Sequence, residues 1–230
     1  MINILRAKLD DDSIKLSYLK QEVLDALRMS NLIGKKWAYI GDSTSGYCGS
    51  PFPTLISAQT GCTLRNLSLS GYHMMETGDG KSILGKINEL DGSEDYVTIM
   101  MGANDRAILV PGTMFSAGTT LNTDTSTFYG AYNSAMLNII SKCPGSRLGI
   151  MTMLPHGTDR NASVSLQINT IIKTVAAHFS VRVLDCYNET QLPCTLDAIN
   201  TAYYQGDRLH PNDAGHAIIA RKIKTFLESL

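Results

Sequence analysis

Four short stretches of this 230-residue sequence hold residue types that together could carry out nucleophilic chemistry. Ser43 follows the apolar run Trp37-Ala38-Tyr39-Ile40 with only Gly41-Asp42 between, and Gly71 closes the stretch Asn66-Leu67-Ser68-Leu69-Ser70. Asn104 comes two residues after Gly102 at the end of a second apolar run, and Asp207 and His210 stand three apart before the last helical pattern. A serine hydroxyl is a weak nucleophile until a neighbouring base takes its proton, and that base needs a third group to orient it. In a turn, the Asp207–His210 spacing lets the carboxylate accept the imidazole Nδ1–H while Nε2 faces outward. Taken singly, each signal has a plainer reading: Ser43 as a helix N-cap, Gly71 as a turn glycine, Asn104-Asp105 as an Asx-turn, and Asp207 with His210 as a chance pair. Their joint occurrence in this order is what points to a serine-nucleophile site.

The elements that must position these groups alternate along the chain. Residues 37–41 read as a buried strand, residues 54–60 as a short helix started by Pro51 and Pro53, and residues 64–69 as a second strand. Residues 81–90 read as a helix, 96–101 as a continuous apolar strand, 128–142 as a helix and 147–153 as a fourth strand. A helix over 163–178, a strand over 181–184 and a last helix from Asn212 or Asp213 to residue 228 complete the pattern. Continuous apolar strands separated by helices imply a parallel sheet covered on both faces, so the expectation is a three-layer α/β/α sandwich with five parallel strands. Ser43, Gly71 and Asn104 then lie at the carboxyl ends of the first three strands, the edge where open α/β sheets bind ligands.

The segment before Gly34 differs. Leu9, Leu16, Leu19, Val23 and Ala26 fall near a seven-residue register interrupted by charges, which predicts an amphipathic helix over residues 1–33 that packs on its own domain or joins subunits as a homo-oligomer. Residues 34–230 form the second, larger unit. A net charge of −1 without a basic run excludes a nucleic-acid footprint. No stretch approaches the ~20 apolar residues of a membrane span, and the charged first dozen residues are not a secretory signal, so a cytoplasmic setting is the default, with a virion-associated or separately exported protein leaving no such mark. Five cysteines without a C-x-x-C spacing read as reduced thiols, with Cys186 and Cys194 the pair to bridge in an oxidising setting, and no zinc-type spacing is present; neither metal nor organic cofactor is expected.

Over residues 36 to 230 the sequence resembles the SGNH (GDSL-type) hydrolases. Gly41-Asp42-Ser43 matches the family's nucleophile block, Asn66 to Gly71 its glycine block, Gly102-Ala103-Asn104-Asp105 its G-x-N-D block, and Asp207-Arg208-Leu209-His210 its D-x-x-H block, all in the family's order. Thr44 stands where the family commonly has leucine or isoleucine. The resemblance implies a flavodoxin-like fold, a triad of Ser43, His210 and Asp207, and an oxyanion hole from the N–H groups of Ser43 and Gly71 with the side-chain amide of Asn104. Tyr47, Tyr72, His73, His156, Tyr203 and Tyr204 lie beside these motifs, and the stretch over residues 111–127 is rich in hydroxyls. Aromatic rings beside hydroxyl-rich loops suit a sugar, so the expected substrate is a short-chain acyl ester, O-acetyl above all, on a carbohydrate. His73 and His156 follow strand ends and rival His210 as base, whereas His178 and His216 read as structural. Two other readings compete. In a lysophospholipase or thioesterase, Met74, Met75, Met114 and Phe115 would line an acyl slot; the other is a carbohydrate-binding or assembly module without turnover.

Overall fold

Strand residues of alternating fate set the architecture. In a computed structural model describing residues 30–46, 49–109, 114–157, 163–192 and 201–230, the strands are β1 (Lys36–Gly41), β2 (Thr63–Asn66), β3 (Tyr96–Met100), β4 (Arg147–Met151) and β5 (Arg182–Leu184). All neighbouring pairs are parallel and the order is β2-β1-β3-β4-β5. The helices are α1 (Phe52–Thr60), α2 (Leu84–Ile87), α3 (Asp105–Ile108), α4 (Phe128–Lys142), α5 (Ser163–His178), α6 (Cys186–Glu189) and α7 (Asp213–Ser229). Successive strand side chains point to opposite faces. Ala38, Ile40, Val97, Ile99 and Ile150 therefore meet Phe128, Tyr132 and Met136 of α4 and Ile168, Ile172 and Val175 of α5. On the other face Trp37, Tyr39, Met100 and Met151 meet Phe52 and Ile56 of α1 and Ile219 and Ile223 of α7. The central strands are apolar on both sides because both faces are covered, and each large side chain so buried contributes about 1.5–3 kcal/mol. The Trp37 indole, fully buried, donates from Nε1 to Thr98 Oγ1 at 2.8 Å, so its one polar group costs nothing.

This is the expected five-stranded α/β/α sandwich, with differences at particular elements. The helix expected over residues 81–90 is reduced to the four residues of α2. His73 and Ser82 form a parallel bridge in which His73 N–H donates to Lys81 O (3.0 Å) and Ile83 N–H to His73 O (2.9 Å). Backbone groups that would open a helix are taken by this bridge, and Gly85 weakens what is left. The second strand ends at Asn66, whose Oδ1 accepts from Ser68 N–H at 3.0 Å and turns the chain. Leu67 and Leu69 nevertheless still donate to Tyr39 O and Gly41 O (2.8 and 3.1 Å). β3 and β4 are likewise shorter than expected at their carboxyl ends.

The helix expected near the start of the chain lies outside the described residues up to Ser30. From there the chain is tied to the domain: Ser30 Oγ donates to Glu228 Oε1 (2.6 Å), Asn31 Nδ2 to Glu228 O (2.9 Å), and Leu32 is fully buried. Cys62, Cys143 and Cys186 are buried free thiols, while Cys48 and Cys194 lie outside the described residues. No described helix is long and apolar enough to cross a membrane.

Candidate active site

The site is assembled on three adjacent strand ends and one loop. β1 runs into a single 3-10 turn, Ser43–Ser45, whose N-cap is Asp42. Asp42 Oδ1 accepts from Thr44 N–H (2.9 Å) and Thr44 Oγ1 (2.7 Å), and Ser45 Oγ donates to Asp42 O (2.7 Å). The turn is tight enough that a Cβ on Gly41 would lie 2.5 Å from Ser45 Oγ and 2.6 Å from the Tyr39 ring, so only glycine fits there. Burial pushes the Asp42 carboxyl up from its ordinary range, opposed by the Thr44 hydroxyl, the N–H groups of Thr44 and Ala103, and His210. Asp42 thus shapes the turn that presents Ser43. As first residue of that turn, Ser43 has no intrahelical acceptor for its N–H.

Ser43 is 8 % exposed, and its Oγ lies 2.9 Å from His210 Nε2. His210 Nδ1 lies 2.6 Å from Asp207 Oδ2, while Asp207 Oδ1 accepts the N–H groups of Leu209 (2.9 Å) and His210 (3.0 Å). Asp207 therefore caps its own turn with one oxygen and orients the imidazole with the other. The turn needs Arg208 at φ 60, and it is pinned by Gln205 N–H to His210 O and Gly157 N–H to Arg208 O, both 2.8 Å. Partial desolvation opposes ionisation of Asp207, but the hydrogen bonds from the His210 side chain and from the two backbone N–H groups outweigh it and hold its carboxyl below the ordinary range. An anionic acceptor on Nδ1 fixes the tautomer with the lone pair on Nε2, facing Ser43. Such an arrangement can take a proton from a hydroxyl that attacks a carbonyl.

Because β2, β1 and β3 are neighbours, the loops after them carry Gly71, Ser43 and Asn104 to one edge. Gly71 adopts φ 77, a left-handed conformation that no packing enforces, since nothing lies within 4 Å of where its Cβ would be. Asn104 Nδ2 donates to Tyr72 O at 2.7 Å, and its second amide hydrogen remains available. These are neutral N–H donors of the kind that stabilise a developing oxyanion.

The other residues picked from the sequence fall less uniformly. His73 is buried, with Nδ1 2.6 Å from Met75 O and Nε2 shared between Thr77 Oγ1 (3.2 Å) and Asp79 Oδ2 (3.3 Å), so it braces its own loop and does not rival His210. His156 is buried and lines, with Asp42, Thr44, Met101 and Leu209, a cavity of about 10 Å³, room for one water. Tyr204 is also buried, its hydroxyl donating to Pro155 O, and so offers no face to a sugar ring. Tyr72 and Tyr203 are each half-buried, packed against the core on opposite faces of the sheet. Tyr47 lies outside the described residues, as do residues 111–113 of the hydroxyl-rich stretch. His178 stacks edge-on against Phe179, and His216 is fully buried with its ring 6.0 Å from Phe52. Sequence reasoning gave no role to Asp42 or Asp105, both buried carboxylates at strand ends; their position beside Ser43 and Asn104 was the available signal.

Comparison with known proteins bears on the fold and the family. A structure from Lactobacillus plantarum is 24% identical with a TM-score of 0.73, over 86% of this chain and 99% of that one. A lipase/acylhydrolase from Enterococcus faecalis is 17% identical with a TM-score of 0.59, over 85% and 96%. An acetyl xylan esterase from Geobacillus stearothermophilus is 20% identical with the same TM-score, 0.59, over 85% and 96%. At these identities the likeness speaks for the fold. No curated protein sequence matches. The sequence profile of the GDSL-like lipase/acylhydrolase family matches residues 39–218, and the chain accordingly belongs to that family of ester hydrolases.

Proposed function

We propose that this protein hydrolyses short-chain acyl esters, O-acetyl esters of a carbohydrate above all, through Ser43, His210 and Asp207. The observation that carries the reading is the continuous run from Ser43 Oγ to His210 Nε2 (2.9 Å) and from His210 Nδ1 to Asp207 Oδ2 (2.6 Å). In the first half-reaction Ser43 Oγ attacks the ester carbonyl as its proton passes to His210 Nε2. The carbonyl oxygen becomes an anion that the N–H groups of Ser43 and Gly71 and the Asn104 amide stabilise, and each such donor is worth ~3–4 kcal/mol of barrier. The tetrahedral intermediate collapses as His210 returns the proton to the leaving alcohol. Water then adds to the acyl-serine with His210 again as base, and the acid departs with Ser43 regenerated. Asp207 stays ionised throughout and stabilises the imidazolium.

A short acyl group is favoured by where the methionines lie. Met74 and Met75 are fully buried in the core, Phe115 packs against it, and Met114 is 91 % exposed, so these four residues do not line one slot for a long chain. The carbohydrate assignment rests on the hydroxyl-rich stretch over residues 111–127 beside the site, and an acetyl xylan esterase and a lipase/acylhydrolase share the fold equally. The test is to compare p-nitrophenyl acetate with octanoate and then to follow acetate release from acetylated xylan. Preference for acetate with release from the polymer is expected; preference for octanoate would overturn the short-chain assignment.

A further inference from the structure

Asp105 stands one residue past Asn104, opens α3, and is used by none of the steps above. It is fully buried, yet it remains bonded only to backbone: Oδ1 accepts the N–H groups of Met74 and Met75 (both 3.0 Å), and Oδ2 accepts that of Met74 (2.9 Å). Its neighbour Asn104 grips the same loop from the opposite chemical sense, donating Nδ2–H to Tyr72 O (2.7 Å). Consecutive residues after β3 thus hold the peptides that follow Gly71. On the far side, Glu76 N–H donates to Thr125 O (2.8 Å) and Thr125 Oγ1 to Glu76 Oε2 (2.6 Å). Gly71 itself has no packing at its Cβ position, so hydrogen bonds carry the task of placing it. Both oxygens are engaged, so an amide of the same shape keeps only the Oδ1 contacts and must set an NH₂ against Met74 N–H. Retaining a costly buried carboxylate next to a working residue is the kind of local conflict that accompanies function.

We propose that Asp105 is a positioning residue of the hydrolytic site: by fixing residues 72–75 against the loop after β3, its carboxylate holds the Gly71 N–H and the Asn104 amide as a matched pair of donors to the ester oxygen. The proposal rests on the hydrolase reading above. Oxyanion donors must be placed to within about half an ångström, and a misplacement of about 1 Å can cost on the order of 10²-fold in rate. Asp105 does this through its neighbours and touches no substrate.

The test is Asp105→Asn, which keeps the shape but turns an NH₂ toward a backbone N–H. With p-nitrophenyl acetate and sites counted by active-site titration, kcat is expected to fall about 10–100-fold while KM moves less than about threefold. Added to Asn104→Ala, the same change is expected to cost little more, because both act on one set of donors. A purely structural carboxylate would lower the unfolding temperature and leave kcat per titrated site within about twofold, or its effect would multiply with that of Asn104→Ala; either result overturns the proposal.

Should Asp105→Asn not fold, ¹⁵N NMR of the wild type reads the same coupling. Burial lifts the Asp105 carboxyl to about 6, opposed by the Met74 and Met75 N–H groups and by His73 and raised further by Asp42, with Tyr132 the remaining titratable group nearby. The side-chain amide of Asn104 is expected to titrate together with the Met74 and Met75 N–H signals. An Asn104 signal that stays fixed while those of Met74 and Met75 move overturns the proposal. Absence of ester turnover by the wild type would instead overturn the hydrolase reading and this role with it, while leaving the NMR coupling measurable.

Discussion

Replacing Asp207 by asparagine separates its two tasks. One oxygen caps the turn through the N–H groups of Leu209 and His210, and the other faces His210 Nδ1. Asparagine can keep the cap with its Oδ1, so the turn at Arg208 persists and stability changes little. Its NH₂ then points at Nδ1, which must become the acceptor, and the imidazole hydrogen moves to Nε2, where it faces Ser43 and blocks proton uptake. The charge-assisted bond that stabilised the imidazolium is worth about 1.5–3 kcal/mol, or roughly 10–150-fold in rate, and the wrong tautomer adds to this. In a buried triad the sum reaches ~10⁴. Here the carboxylate side chain is 44% exposed, so water replaces part of what is lost and a fall in kcat of about 10²–10³ is expected. The assay is p-nitrophenyl acetate hydrolysis per titrated site, with KM expected within about threefold because Asp207 does not touch the substrate. A kcat within about threefold of the wild type would refute the assignment of Asp207 as orienter of the base.

Other perturbations test separate parts. Asn104→Ala removes the proposed oxyanion donor and the bond to Tyr72 O, and kcat is expected to fall ~10²–10³ with about 1 kcal/mol lost in urea unfolding; unimpaired turnover would refute the oxyanion role proposed for Asn104. Gly41→Ala forces a Cβ to 2.5 Å from Ser45 Oγ and is expected to cost at least about 1–3 kcal/mol of stability by thermal denaturation, with a wild-type melting temperature contradicting the close-packed turn. Asp105, lifted from 3.8 to about 6 in the fold, stabilises the folded state below the unfolded value and loses that contribution as pH rises through the folded one. Between about pH 4 and pH 6 the wild type should therefore lose about 3 kcal/mol relative to Asp105→Asn in urea titrations, and parallel curves for the two proteins would contradict it.

What was legible in the sequence was local. Gly41-Asp42-Ser43, Gly102-Ala103-Asn104 and Asp207 to His210 sit at element ends that apolar runs and capping residues define, so their edge could be read without knowing a single tertiary contact. The strands β1 and β3 were equally plain, because coverage on both faces makes them apolar throughout. What was not legible depends on distant partners. The helix expected over residues 81–90 shrank to α2 because His73, eight residues before it, takes its opening backbone groups. Tyr204 and His73 looked like rim residues from their motif neighbours, yet the Pro155 carbonyl claims one and Met75 O with Asp79 the other. Asp105 was visible in its motif, but its work is done on Met74 and Met75, about thirty residues earlier in the chain, and no periodicity reports such a contact.

The measurement closest to the central claim is the site of covalent capture. A serine-reactive fluorophosphonate, applied to the wild type and to Ser43→Ala and mapped by peptide mass spectrometry alongside p-nitrophenyl acetate turnover, is predicted to label Ser43 alone and to leave the folded variant unlabelled and inactive. Turnover that survives in Ser43→Ala, or label on another residue of the folded wild type, would contradict the account.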